Sequence, residues 1–212
     1  MGGCVETHIG ESLQMREGKI IRNERGRTKN LALCGLFAAL TAAGAFMKIT
    51  IPVQPFPMHF TMQWFFVLMA GFLLGSRMAF ASIVTYLVIG LVGVPVFAAG
   101  GGPAYLIRPT FGFLLGFALA AYVIGFLCEE MRPVKLWQMM VPATAGLLVY
   151  YLIGMIYFYF ISNYVISMPV GWKVVLINCC LLTIGEDFVL CVLAAMAAVR
   201  LRPRVRDLIE NV

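Results

Sequence analysis

Two adjacent carboxylates, Glu186 and Asp187, lie well inside the last long apolar run of this sequence, Val174 to Val199. A charged carboxylate among hydrocarbon is costly unless it is paired, hydrated or protonated, so these positions call for a partner. Successive helical residues lie about 100° apart, so the two acids point in different directions, one free to face a cavity and the other a neighbouring helix. Thr183 sits one turn before Asp187 on the same face, and Gly185 permits close approach of backbone or ligand. Three chemistries fit this pair. It can bind a polar guest, serve as acid and base in a membrane enzyme, or act as structural glue paired with Lys48, Lys173 or Arg108. The enzyme would need a nucleophile or metal ligands that the sequence does not display.

A second unusual stretch is GVPVFAAGGGPAYLIRPT, Gly93 to Thr110. Its prolines and glycines stop helix formation on both sides. Gly100, Gly101 and Gly102 offer backbone N–H and C=O groups free of side chains, and Arg108 places a cation at the rim. Val96, Phe97 and Tyr105 make the segment too apolar for a flexible linker and favour a lid packed on the rest of the protein. Irregular backbone at membrane depth is tolerated where it lines a cavity.

The elements that must position these groups follow from composition. Hydrophobic residues make up 61% of the 212 positions and charged residues 12%, and mean hydropathy is +0.90, too apolar for a soluble domain. Six apolar segments predict six transmembrane helices: Leu31 to Ile49, Phe60 to Gly75, Ala79 to Leu91, Phe111 to Leu127, Met139 to Ile161, and Val174 to Val199. The second and third fall short of the ~20 residues of a full crossing. The fold class expected is an all-α membrane protein, a compact six-helix bundle spanning residues 31–200. A basic cytoplasmic segment (1–30) precedes it and a basic cytoplasmic tail (201–212) follows.

Of the 16 lysines and arginines, this topology leaves only Lys48, Arg108 and Lys173 outside and thirteen inside, a clear positive-inside pattern with both termini cytoplasmic. The net charge of +6 then belongs to headgroup-facing ends, and nucleic-acid binding is unnecessary. The N-terminal segment lacks the short apolar run and cleavage site of a secretory signal. Met-Gly-Gly-Cys resembles a myristoylation start, but Glu6 stands where that motif needs Ser or Thr. Met15 is an alternative initiator. Cys4, Cys34, Cys128, Cys179, Cys180 and Cys191 lack metal or redox spacing and read as small apolar filler. His8 and His59 lack further ligands for a metal, so no metal or cofactor is expected. No phosphate-binding loop occurs, nor the G-x-S-x-G or H-E-x-x-H of hydrolases and proteases. The first helix carries the densest small residues. Gly35, Ala39 and Ala43 form one stripe and Ala38 and Ala42 another, either a docking face or internal packing. GFLLG occurs twice, from Gly71 and from Gly112, and reads as ordinary helix packing rather than as an ancestral repeat.

The run YLVIGLVGVPVFAAGGGPAYLIRPTFGFLLGFALAAYVIG, Tyr86 to Gly125, resembles the hallmark of the BioY family, the biotin-binding S components of energy-coupling-factor vitamin transporters. IPVQPFPMHFTMQ, the following GFLLG, the small-residue first helix and the acidic last helix extend the likeness over most of Leu31 to Arg200. The resemblance implies a six-helix, multi-pass protein of the cell's inner membrane that takes biotin from the outer side. It implies as partners a membrane coupling protein and two cytoplasmic ATPases, and a subunit that topples in the bilayer to deliver its vitamin. That division of labour explains the missing phosphate loop.

The resemblance also nominates residues. Asp187 matches the aspartate of the family's P-G-D-x-x-K, but Glu186 replaces its neighbour and Leu190 stands at the lysine. Arg108 replaces the glycine usual before Pro-Thr. Biotin's ureido group carries two N–H donors and one carbonyl acceptor, which Asp187 and Gln63 can engage, while its carboxylate needs a cation that Arg108 can supply. Tyr86, Trp64 and Phe97 are candidates for an apolar wall, equally readable as core aromatics. Gly100, Gly101 and Glu186 complete the expected binding set. In the S components an A-x-x-x-A-type stripe contacts the coupling protein, a role open here to Gly35, Ala39 and Ala43 or to Ala38 and Ala42. Dethiobiotin is an alternative ligand.

Overall fold

The computed structural model describes residues 26–51, 58–181 and 183–210; the expectations for Met15, Cys4 and His8 lie outside them. Helix α1 runs Gly26–Phe46 and gives way to strand β1, Lys48–Ile51, which pairs antiparallel with β2, Met58–Thr61, with Lys48 opposite Thr61. The first helix was expected to reach Ile49 and the second to begin at Phe60; instead both flanks form a hairpin. Ile49, Thr50 and Ile51 are β-branched, lose side-chain freedom in a helix and suit a pleated ribbon.

Helix α2 spans Gln63–Leu74 and α3 Ser76–Val92. Gly75 joins them at φ +82°, a left-handed bend that disfavours other residues. Helix α4 follows at Phe111–Met131 and α5 at Leu136–Phe160, prolonged by a π turn at Ile161–Val165. The last crossing is composite: α6 (Trp172–Leu176), a π turn (Ile177–Leu181) and α7 (Ile184–Glu210). Among the described residues six helical segments result, as expected, and four of them are long and apolar enough to span a bilayer alone; α2 and α3 are the short ones.

Polar contacts show which ends lie together. Glu129 of α4 accepts the backbone N–H and the hydroxyl of Ser76 at 2.8 and 2.9 Å, capping the positive end of α3. Arg202 of α7 donates to the carbonyls of Cys128 (2.7 Å) and Pro133 (2.9 Å); the first also accepts the N–H of Arg132 at 3.2 Å, so the guanidinium adds a second bond at the end of α4. Arg77 and Lys135 therefore share one end of the bundle with Arg202, and the region around Lys48 and Arg108 lies at the other.

Helix α4 is the central element and packs along α5, α3 and α2. Lipid supplies no hydrophobic drive between helices, so close fit must hold them. Both GFLLG segments serve that fit. A Cβ on Gly71 would stand 2.7 Å from Ile124, and one on Gly116 would stand 2.9 Å from the carbonyl of Tyr150. Large apolar side chains such as Leu31 and Leu148 are more than 70% exposed, the surface expected of a body facing hydrocarbon.

Candidate functional site

Residues 93–110 close one end of the bundle. Phe97 is the keystone: only 2% exposed, its ring meets Tyr86 edge-on at 5.4 Å and Tyr105 at 4.7 Å, with Phe111 at 6.3 Å. It lies flush on α3, where a Cβ at Gly90 would fall 2.1 Å from its Cζ. The loop folds back through paired hydrogen bonds between Phe97 and Gly100 (2.9 and 3.1 Å), and the N–H of Gly102 donates to the carbonyl of Gly90 at 2.8 Å. A Cβ on Gly101 would stand 2.3 Å from the carbonyl of Val94. The glycines thus let this segment lie against α3 and itself. Pro103–Ile107 forms a 3₁₀ turn, and Tyr157 of α5 donates to the carbonyl of Leu106 at 2.6 Å. Lys48 of the hairpin donates to the carbonyl of Ala98. The expected lid is a docked cap.

Beneath it lies a cavity lined by Thr61, Gln63, Ala98, Tyr105, Thr110, Phe113, Leu114, Phe117, Tyr150, Cys179 and Thr183. One wall is aromatic, with Tyr150 stacked on Phe117 at 5.2 Å and on Trp64 at 4.8 Å. A second wall is a polar chain through four elements. Thr61 donates to Gln63 Oε1 (3.3 Å), Gln63 Nε2 donates to the Tyr86 hydroxyl (2.6 Å), and that hydroxyl donates to the carbonyl of Val96 in the cap (3.3 Å). Gln63 is 2% exposed, and among the described residues its second N–H is unspent. Burial pushes the Tyr105 phenol up, opposed by its bond to the Ala99 backbone and by nearby Arg108.

Thr183 also lines the cavity, one turn before Asp187 as the sequence placed it. Tyr151 donates to Asp187 Oδ2 at 2.6 Å and lies 2.8 Å from Thr183 Oγ1, and Thr183 Oγ1 donates to the carbonyl of Cys179 at 2.9 Å. Asp187 is 6% exposed and Glu186 is half-buried. Cys179 belongs to the π turn, a feature frequent at functional sites.

Of the nominated residues, only Gln63 lines the cavity directly. Asp187 reaches it through Tyr151 and Thr183. Trp64, Tyr86 and Phe97 back its walls. Arg108 is exposed on the cap, its guanidinium 5.2 Å from the centre of the Tyr105 ring. Gly100 and Gly101 serve the cap's own turn, and Leu190 is buried. On α1, Gly35, Ala39 and Ala43 are exposed, Ala42 is half-buried and Ala38 is buried. Sequence reasoning missed Tyr150 and Tyr151, whose surroundings YYLIGMIYFYF look like any lipid-facing aromatic run. It also missed Thr61 and Thr110, whose hydroxyls become informative only when the hairpin and cap converge.

These features define a multi-pass membrane protein with a capped internal cavity. The model of the BioY family matches residues 15–207. The chain is 42% identical over 174 residues to the probable biotin transporter BioY of Lysinibacillus sphaericus, covering 82% of this chain and 87% of that relative. It is 34% identical over 180 residues to the biotin transporter BioY of Thermotoga maritima, with 82% and 96% covered. The crystal structure of the S-component for biotin from an ECF-type ABC transporter matches with a TM-score of 0.65 at 24% identity, over 84% of this chain and 92% of that one, a likeness of fold. The chain belongs to the BioY family.

Proposed function

We propose that this chain captures biotin as the S subunit of an energy-coupling-factor transporter in the inner membrane. One observation carries the reading: a capped cavity lined by an aromatic wall (Phe113, Phe117, Tyr150) and by the polar groups of Gln63 and Thr183. A compact ring system with a ureido edge needs both, apolar surface for its carbon frame and paired acceptors and donors for its polar edge. The names of the relatives point the same way.

Arg108 then meets the carboxylate. Its guanidinium lies beside Tyr105, which lines the cavity, so a chain leaving the cavity past Tyr105 arrives at a cation. Entry is from the outer side, where this end of the bundle lies if the basic termini of residues 1–30 and 201–212 stay in the cytoplasm. The stripe Gly35, Ala39, Ala43 is the face offered to the coupling protein, which works with two ATPases. Among the described residues no neighbouring atom lies within 4 Å of a Cβ placed on Gly35, so another helix can approach there. Glu186 and Asp187 act as parts of a binding protein, not as an acid and base pair.

Equilibrium binding of labelled biotin to the purified full chain tests the reading, with biotin amide as the second ligand. Arg108→Ala is expected to weaken biotin about tenfold, the value of a charge-assisted contact, and to leave the amide unchanged. Equal effects on both ligands would remove Arg108 from the site. Absence of biotin binding by the folded chain would end the proposal.

A further inference from the structure

The geometry points to Thr183 as a dedicated hydrogen-bond acceptor for an N–H of the guest, its own proton held inside the protein by the carbonyl of Cys179 or the hydroxyl of Tyr151. This deepens the biotin-capture reading and rests on it. Proton counting carries the argument. A hydroxyl has one proton to give and two lone pairs to receive. Three contacts share the protons here: Tyr151 with Asp187 Oδ2 (2.6 Å), Tyr151 with Thr183 Oγ1 (2.8 Å), and Thr183 Oγ1 with the carbonyl of Cys179 (2.9 Å).

When Asp187 is ionised it can only accept, so the Tyr151 proton goes to it. Tyr151 then cannot donate to Thr183, and the Thr183 proton goes either to Tyr151 or to Cys179. When Asp187 carries its proton on Oδ2 it donates to Tyr151, Tyr151 donates to Thr183, and the carbonyl of Cys179 takes the Thr183 proton; a proton on Oδ1 leaves the ionised pattern unchanged. In both states the Thr183 proton is spent inside the protein. Thr183 lines the cavity and Asp187 does not, so the oxygen offered to a guest from this side is a hydroxyl presenting lone pairs. It receives a donor and discriminates against a guest whose edge bears only acceptors. Gln63, which also lines the cavity, supplies the complementary group, an amide with one N–H unspent among the described residues.

The experiment measures biotin affinity of the full chain carrying Thr183→Val, Thr183→Ser, Tyr151→Phe, or Tyr151→Phe with Thr183→Val, each checked for an unchanged thermal midpoint. Thr183→Val keeps the shape but leaves the guest N–H unpaired in a closed site, and a loss of about tenfold is expected. Thr183→Ser should restore affinity to within about twofold, because the acceptor returns without the methyl group. Tyr151→Phe should change affinity by no more than about twofold with Thr or Val at 183, because the carbonyl of Cys179 still takes the Thr183 proton and the hydroxyl stays an acceptor. Wild-type affinity in Thr183→Val, failure of Ser to rescue, or a loss in Tyr151→Phe as large as that in Thr183→Val would overturn the assignment. If the unsubstituted protein ignores biotin, the functional reading fails instead. Should Tyr151→Phe not fold, the Val and Ser pair alone decides.

Discussion

Replacing Gly90 with alanine separates the stability of the cap from that of the bundle. The new Cβ would stand 2.1, 2.3 and 2.7 Å from three ring atoms of Phe97, and the ring has no free space, enclosed as it is by Tyr86, Tyr105 and Phe111. The backbone at Gly90 cannot easily yield either, because its carbonyl holds the N–H groups of Gly93 and Gly102. Tolerating the clash costs about 1–3 kcal/mol as overpacking; expelling the ring forfeits about 1.5–3 kcal/mol of burial. Either route destabilises the docked cap by about 2 kcal/mol, which raises its open-to-closed ratio about thirtyfold. Helix α3 itself gains up to about 1 kcal/mol from losing a glycine. The two effects have opposite signs and separate observables. Hydrogen exchange at Phe97, Gly100 and Gly102 should accelerate about thirtyfold while amides of α4 are unchanged or slower, and biotin should dissociate correspondingly faster. Unchanged exchange across 93–102 would refute the claim that Phe97 on Gly90 holds the cap down.

Other consequences are simpler. Gln63→Leu removes the donor to Tyr86 and the acceptor of Thr61, and should lower stability by about 1–3 kcal/mol as well as weakening biotin, read by thermal shift and binding. Glu129→Ala strips two hydrogen bonds from the start of α3 and should cost about 1 kcal/mol without altering biotin affinity, because the cap lies at the far end. Arg202→Ala strips the guanidinium bonds from the carbonyl of Pro133 and from that of Cys128, which keeps the N–H of Arg132; the thermal midpoint should fall by a comparable amount, again with binding intact.

Hydropathy alone located all six crossings, because a chain in lipid must satisfy its backbone inside each segment and so announces each segment by composition. The cap was legible for a related reason: glycines and prolines clustered among Val96, Phe97 and Tyr105 can be neither helix nor solvated linker. The hairpin was not legible. Ile49 and Phe60 are as apolar as their helical neighbours, and only their pairing across Lys48–Ile51 and Met58–Thr61 separates them from α1 and α2. At the site, Asp187 stood out because charge in an apolar run is costly, and Thr183 because it lies one turn away. Tyr151 connects the two from a different helix. No local spacing encodes that contact, which exists only once α5 and α7 pack together.

The most direct measurement is a structure of the full chain with biotin bound. The ring system should rest on Tyr150 and Phe117, with a ureido N–H on Thr183 Oγ1, the opposite edge at Gln63, the carboxylate beside Arg108 and the cap closed above. Biotin seated elsewhere, or a cavity that remains closed to it while binding is saturated, would contradict the account.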